Sequence, residues 1–293
     1  MSLPATLSGK DNYDKYENDE NSVWYADISL IDIFKITAQE VESILSRIKN
    51  EFNLKDVSSI VQYIEDRKEK EYQDLVKEQF PKSVVIEVLK AINARNDQRV
   101  FELVTQNATI PTIFEYMLTI AWFYISKEKN YSLSKSFQLT LDGDKLPLTH
   151  RGGGAGDIEI IDKNYALLIE ATLMDINNQR RAELEPVIRH SVNFKLQQMD
   201  KNVQTLFIAN DLDTNVLNIF RALQFVQLQG SITRGEVDGL NIFAFTTSDI
   251  IQILEKDITD DVILGVVQQN IMQQPMYIHT DWYEPIKQQI FCK

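Results

Sequence analysis

Two short alternating segments joined by a polar turn constrain the fold of this chain more than any other stretch. Asp157-Ile158-Glu159-Ile160-Ile161 alternates charged and branched apolar residues, Asp162-Lys163-Asn164 turns, and Tyr165-Ala166-Leu167-Leu168-Ile169 rises to Glu170-Ala171-Thr172. Period-two patterning around so tight a turn predicts a β-hairpin. In that hairpin Asp157 opens the first strand and Glu170 closes the second, at the same end. Two acids converging where strands enter and leave a sheet are placed to hold a divalent cation. Magnesium takes hard oxygen ligands, commonly one or two carboxylates with water and substrate phosphate. Asp157, Glu170 and the carbonyl of Ala171 could supply three such oxygens.

The flanks predict helices before the hairpin and alternating helices and strands after it. Residues 1–21 are polar and acidic without apolar periodicity, which reads as a disordered leader. Residues 22–108 read as a small helical region. Thr37-Ala38-Gln39-Glu40 is a capping-box signature. A second helix, mostly charged after Tyr63, stops before Pro81, and a third begins near Ser83. A DNA-reading helix-turn-helix would need a short basic recognition helix, and none stands out here. From Thr109 a helix with Pro111 in its first turn carries Ile113, Phe114, Met117, Ile120, Ala121 and Phe123. A helix apolar over most of its surface packs against a sheet. Its one acid, Glu115, must either meet water near an end or pair with a charged group.

Residues 136–141 alternate as a strand before an Asp142-Gly143-Asp144-Lys145 turn. After the hairpin come a helix over 178–199, a strand over 203–209, a helix over 216–229, a strand over 240–246 and a last helix over 260–273. This succession predicts an α/β fold, a mixed sheet flanked by helices, spanning 109–293.

Composition narrows the function classes. The chain carries a net charge of −13, which argues against a protein held to nucleic acid by its overall charge. A nuclease is still compatible, because catalytic acids keep the local field negative until a metal arrives. Lys127, Lys129, Lys135, Lys145 and Arg151 precede the hairpin and Arg180, Arg181, Arg189, Lys195 and Lys201 follow it. Singly these are solvated surface; together they would give phosphate contacts around an acidic centre. One cysteine, Cys292, leaves no internal disulfide, no apolar run is long enough to span a bilayer, and a cytoplasmic setting is expected. The glycine run 152–156 lacks the Gly-Lys-Ser/Thr of a phosphate-cradling loop, and the three histidines show no zinc spacing.

Behind the hairpin, Gln179, Glu183, Val187 and His190 recur at steps of four, four and three and so share one face of the predicted helix. Packed beside the hairpin, that face would bring Gln179 and Glu183 toward the metal. Glu183 would orient water or hold a second ion, and His190 would contact phosphate.

The run GDIEI, then LLIEATLM, then QRRAELEPVIRH, with acids at 157, 170 and 183, resembles the cleavage domain of the AlwI-type restriction endonucleases over residues 111–207. These are Type IIS enzymes and nicking relatives in the PD-(D/E)XK nuclease superfamily. The resemblance implies a Mg2+-dependent endonuclease, with Mn2+ as a substitute, that hydrolyses double-stranded DNA at an offset from its recognition sequence. It makes Asp157 and Glu170 metal ligands, adds Glu183 and places Glu115 where the family commonly has a further acid. Thr172 stands where the superfamily usually has lysine, and Gly156 where proline often precedes the first acid. The short, acidic region before Pro111 implies a separate recognition subunit or domain, and double-strand cleavage implies a transient dimer. The alternatives are a catalytically silent DNA-binding or assembly module with the nuclease fold, and a nuclease for another DNA shape such as a branched junction.

Overall fold

The computed structural model describes residues 37–52, 57–127, 132–151, 155–163, 165–273, 275 and 277–292. The leader expected over 1–21, the glycines at 152–154, Lys129 and Asn164 lie outside the described residues. The chain forms two compact units, residues 1–66 and 67–293. In the first, α1 (Ala38–Phe52) starts on the predicted box: Thr37 N donates to Glu40 Oε2 at 2.7 Å and Glu40 N donates to Thr37 Oγ1 at 3.2 Å. The boundary between units falls inside α2 (Val57–Gln79), upstream of the 108/109 boundary read from the sequence.

The second unit is built on a four-stranded mixed sheet. The expected hairpin is its first half: β3 (Ile158–Ile161) pairs antiparallel with β4 (Tyr165–Thr172), and Ile158 faces Ile169. Parallel strands need crossovers. α6 (Ile176–Ala182) and α7 (Leu184–Gln197) carry the chain from β4 to β5 (Asn202–Ala209), and α8 (Thr214–Ala222) begins the path to β8 (Ile242–Thr246). The order is β3-β4-β5-β8, antiparallel only at the hairpin.

Side-chain alternation splits the core in two. Ile158, Ile160, Leu167, Ile169, Leu206, Ile208, Phe243 and Phe245 face one layer of helices: α3 (Lys82–Asn93), α5 (Ile110–Ile125), α9 (Thr247–Glu255) and α10 (Asp260–Ile271). Ala166 and Leu168 meet Phe194 of α7 on the other face, and Phe207 and Ala244 meet Val187 and Phe220. As expected from its composition, α5 is buried on almost every side. Tyr116 of α5 donates to the Lys145 carbonyl at 2.9 Å. This bond ties α5 to a second hairpin, β1 (Leu139–Leu141) and β2 (Pro147–His150). Among the described residues, no helix is long and apolar enough to cross a membrane.

Four details differ from the sequence reading. β2 was not expected, although Pro147 occupies the first residue of the strand, where proline is tolerated. The helix expected over 178–199 breaks at Glu183, because Pro186 lacks the N–H that would bond Ala182 and its ring crowds that carbonyl. The helix expected over 216–229 ends at Ala222. The chain then forms a hairpin of β6 (Gln227–Gln229) and β7 (Glu236–Asp238), at whose open end Gly239 (φ 76°) passes the Gln224 carbonyl too tightly for any Cβ. Finally, α11 (Glu284–Phe291), with Pro285 in its first turn, follows what was read as the last helix.

Candidate active site

The hairpin register does what the sequence required of it. Because Ile158 pairs with Ile169, Asp157 and Glu170 stand opposite each other at the same end. Asp157 Oδ2 accepts from the Ala171 amide at 2.8 Å, fixing its carboxylate against the end of β4. The residue before it is packed closely: a Cβ on Gly156 would lie 2.1 Å from Leu168 Cδ1 and 2.5 Å from Glu170 Oε1, so both side-chain tips would have to move to admit one.

Around Asp157 the fold gathers residues from two other elements. Glu115 enters from the middle of α5 and His150 from the end of β2. His150 Nδ1 lies 3.1 Å from Glu115 Oε2, and ligand atoms of Glu115, His150 and Asp157 all fall within 4.8 Å of one another. Of the two settings the sequence left open for Glu115, the structure shows the paired one: 8% exposed and bonded to a histidine. Among the described residues this trio is the group of three or more acids and histidines whose ligand atoms lie close enough together to share one metal ion.

Glu170 is not part of that trio. Its Oε1 lies 2.9 Å from His190 Nδ1, on the side of β4 that carries Leu168 and faces α7. His190, expected to contact phosphate, is thus occupied with a carboxylate. Glu183 Oε1 accepts from Thr172 Oγ1 at 2.6 Å, and Thr172 Oγ1 accepts from the Met174 amide at 3.1 Å. The threonine that replaces the usual lysine therefore holds Glu183 in place. Gln179 does not approach the site: wholly buried, it donates to the carbonyls of Met174 and Asp211.

Crowded acids are held short of ionisation. Burial first, then the Asp157 charge, pushes Glu115 up to about 7 despite its histidine. Burial pushes Asp157 up to about 6, opposed by the Ala171 amide and His150 and reinforced by Glu183. Glu170 rises well above the carboxylate range through burial, followed by Asp157, Glu183, Glu159 and Glu115. Burial and the adjacent Arg189 lower His190. With the acid raised and the base lowered, Glu170 and His190 share one proton as a neutral pair rather than an ion pair.

Sequence reasoning missed His150, which was judged only against zinc spacings. Its signal was local: it ends an alternating segment, Leu146 to His150, immediately before the glycine run that leads to Asp157.

A family model described as AlwI restriction endonuclease matches residues 5–253. Among solved structures, the small subunit of the heterodimeric restriction endonuclease R.BspD6I superposes with a TM-score of 0.50 at 16% identity, covering 70% of this chain and 98% of that one. At that identity the likeness concerns the fold, which is restriction-endonuclease-like. No curated protein sequence matches. With the family model spanning most of its length, the chain belongs to the AlwI restriction endonuclease family.

Proposed function

We propose that this chain is a Mg2+-dependent endonuclease that hydrolyses phosphodiester bonds of double-stranded DNA. It would be the Type IIS, or nicking, cleavage module of a PD-(D/E)XK enzyme that works with a separate recognition subunit or domain. The observation that carries the reading is the convergence of Glu115, His150 and Asp157 at the mouth of the hairpin, with Glu170 across from Asp157. Glu115, Asp157 and Glu170 are each raised there, by burial and then in part by neighbouring carboxylates, a donor set that a hard cation would relieve. Asp157 would hold the ion with Glu170 and the Ala171 carbonyl, Glu170 leaving His190 to do so, while Glu115 and His150 lie close enough to Asp157 to share it. The ion would supply Lewis-acid stabilisation of the charge that develops on the phosphate and acidify the attacking water.

The chain's own residues prepare that chemistry. The Ala171 amide orients Asp157, His150 orients Glu115, and Thr172 fixes Glu183 at the edge of the site. Protons held by Glu170 and Glu115 leave as the ion enters, so binding is expected to strengthen with pH.

Stability follows the same linkage. Folded values of about 6 for Asp157 and about 7 for Glu115 lie above their ordinary 3.8 and 4.5. Raised acids contribute stability that is complete below the lower values and lost as pH rises through the upper ones. In EDTA the melting temperature is therefore expected to fall between about pH 4 and about pH 7 on account of these groups, and Mg2+ to recover it only above about pH 6. Melting curves across pH, with and without Mg2+, check this; an equal Mg2+ effect at pH 5 and pH 8, or none at either, would contradict it.

The decisive experiment pairs cleavage with metal binding. Supercoiled plasmid DNA, incubated with the chain alone and with the recognition subunit or domain the proposal calls for, should be nicked or linearised in Mg2+ or Mn2+ and left intact in EDTA. Mn2+ titration should show a site in the native chain that Asp157→Asn/Glu170→Gln lacks. A native chain that binds Mn2+ no better than the double variant, and cuts nothing, is instead a silent module with the nuclease fold.

A further inference from the structure

The break between α6 and α7 opens a cleft that the proposed hydrolysis does not use. It has a volume of about 370 Å³ and lies between these helices and the β6–β7 hairpin. Three arginines line it: Arg180 and Arg181 from the last turn of α6, and Arg189 from the middle of α7. Its floor is aliphatic, made by Leu184, Ile188, Val192 and Leu228. The opposite wall is pinned, because Asn193 donates to Ser231 Oγ and accepts from the amides of Ile232 and Thr233, all at 3.2 Å. The cleft is thus built in the folded chain rather than formed by a moving loop.

Position and charge identify its occupant. The charge of Arg189 acts on His190, whose ring touches Glu170, so the cationic rim of the cleft lies within electrostatic reach of the candidate active site. In a chain of net charge −13, three guanidinium groups on one cleft mark a place for an anion. Arginine presents a planar fork of donors that matches phosphate oxygens. Arg180 is held by Asp213 at 3.2 Å and Arg189 by Glu185 at 3.0 Å, whereas Arg181 is exposed and makes no ion pair among the described residues. Glu185 is the one acid in the lining and its side chain is 72% exposed. An extended backbone with sugars between its phosphates suits an aliphatic floor rimmed by cations.

We infer that this cleft binds the sugar-phosphate backbone of a DNA strand beside the scissile phosphate, with Arg181 as its principal phosphate contact and Glu185 as a charge that weakens it. This deepens the nuclease reading and rests on it for the choice of DNA.

The test is binding of a labelled DNA duplex to the full chain, by fluorescence anisotropy in Ca2+ at several salt concentrations. Arg181→Ala is expected to weaken binding several-fold and to lower the slope of log Kd against log salt by about 1. Glu185→Gln should tighten binding, a gain that misfolding does not produce. Arg99→Ala, on an exposed arginine outside the cleft, should change nothing. The inference is overturned if Arg181→Ala and Glu185→Gln both match the native chain, if Arg99→Ala acts as strongly as Arg181→Ala, or if the native chain binds no duplex. It is overturned too if a polyglutamate peptide, and not DNA, binds in an Arg181-dependent way, since the cleft would then receive an acidic protein segment. Cleavage is scored separately. Arg181-dependent DNA binding without any cutting would keep the cleft and remove the nuclease reading; cutting without that dependence would do the reverse.

Discussion

Asp157→Asn is expected to lower DNA cleavage at least about a thousandfold while raising the melting temperature of the metal-free chain above about pH 7. Both effects come from one carboxylate. Ionised, Asp157 is desolvated and faces Glu183, while its own charge raises Glu115 and Glu170. The asparagine amide has the same shape, and its oxygen can still accept from the Ala171 amide, the bond made at 2.8 Å. The hairpin end is therefore kept while the repulsion goes. A pKa unit corresponds to about 1.4 kcal/mol, so Asp157, raised from 3.8 to about 6, costs the ionised fold up to about 3 kcal/mol. A gain of several degrees is expected in a unit of this size. Plasmid cleavage and melting curves in EDTA read the two effects independently. Cutting at the native rate would remove Asp157 from the chemistry, and a lower melting temperature at pH 8 would refute the electrostatic account of the site.

Such opposed effects are expected where catalytic groups are assembled against their own repulsion, and the sequence made part of that assembly readable. Asp157 and Glu170 were legible because hairpin register is local: a three-residue turn and period-two alternation place both at one end before any tertiary contact is known. The burial of α5 was legible from its apolar composition. The pairing of Glu115 with His150 was not, since it depends on where the β1–β2 hairpin lies against α5, and the Tyr116–Lys145 bond that ties them spans 29 residues.

The helix behind the hairpin was misread for a different reason. Steps of four, four and three from Gln179 to His190 assume one unbroken helix. Pro186 interrupts it: α6 ends at Ala182 and α7 starts at Leu184. Glu183 and His190 still reach the acidic site, one through Thr172 and one through Glu170. Gln179, on the far side of the break, turns into the protein instead.

That turn gives Gln179→Leu the largest stability effect expected here. The native side chain is wholly buried and bridges three backbone groups: Nε2 donates to the Met174 carbonyl at 3.1 Å and the Asp211 carbonyl at 2.6 Å, and Oε1 accepts from the Asp213 amide at 3.2 Å. Asp213 in turn caps α8, accepting from the Asn215 and Val216 amides, and pairs with Arg180. Leucine is close in volume, so packing changes little, but one buried amide and two part-buried carbonyls lose their partner at about 1–3 kcal/mol each. Shared relaxation reduces the sum, and a loss of about 3–5 kcal/mol is expected in urea unfolding with the slope unchanged. Below its lower melting temperature the variant should bind Mn2+ with native affinity, because none of the lost bonds is made by a proposed metal ligand: two reach the loop before α8 and one the loop before α6. A near-native stability would mean that solvent replaces these bonds. A selective loss of metal affinity would return Gln179 to the site where the helical spacing first put it.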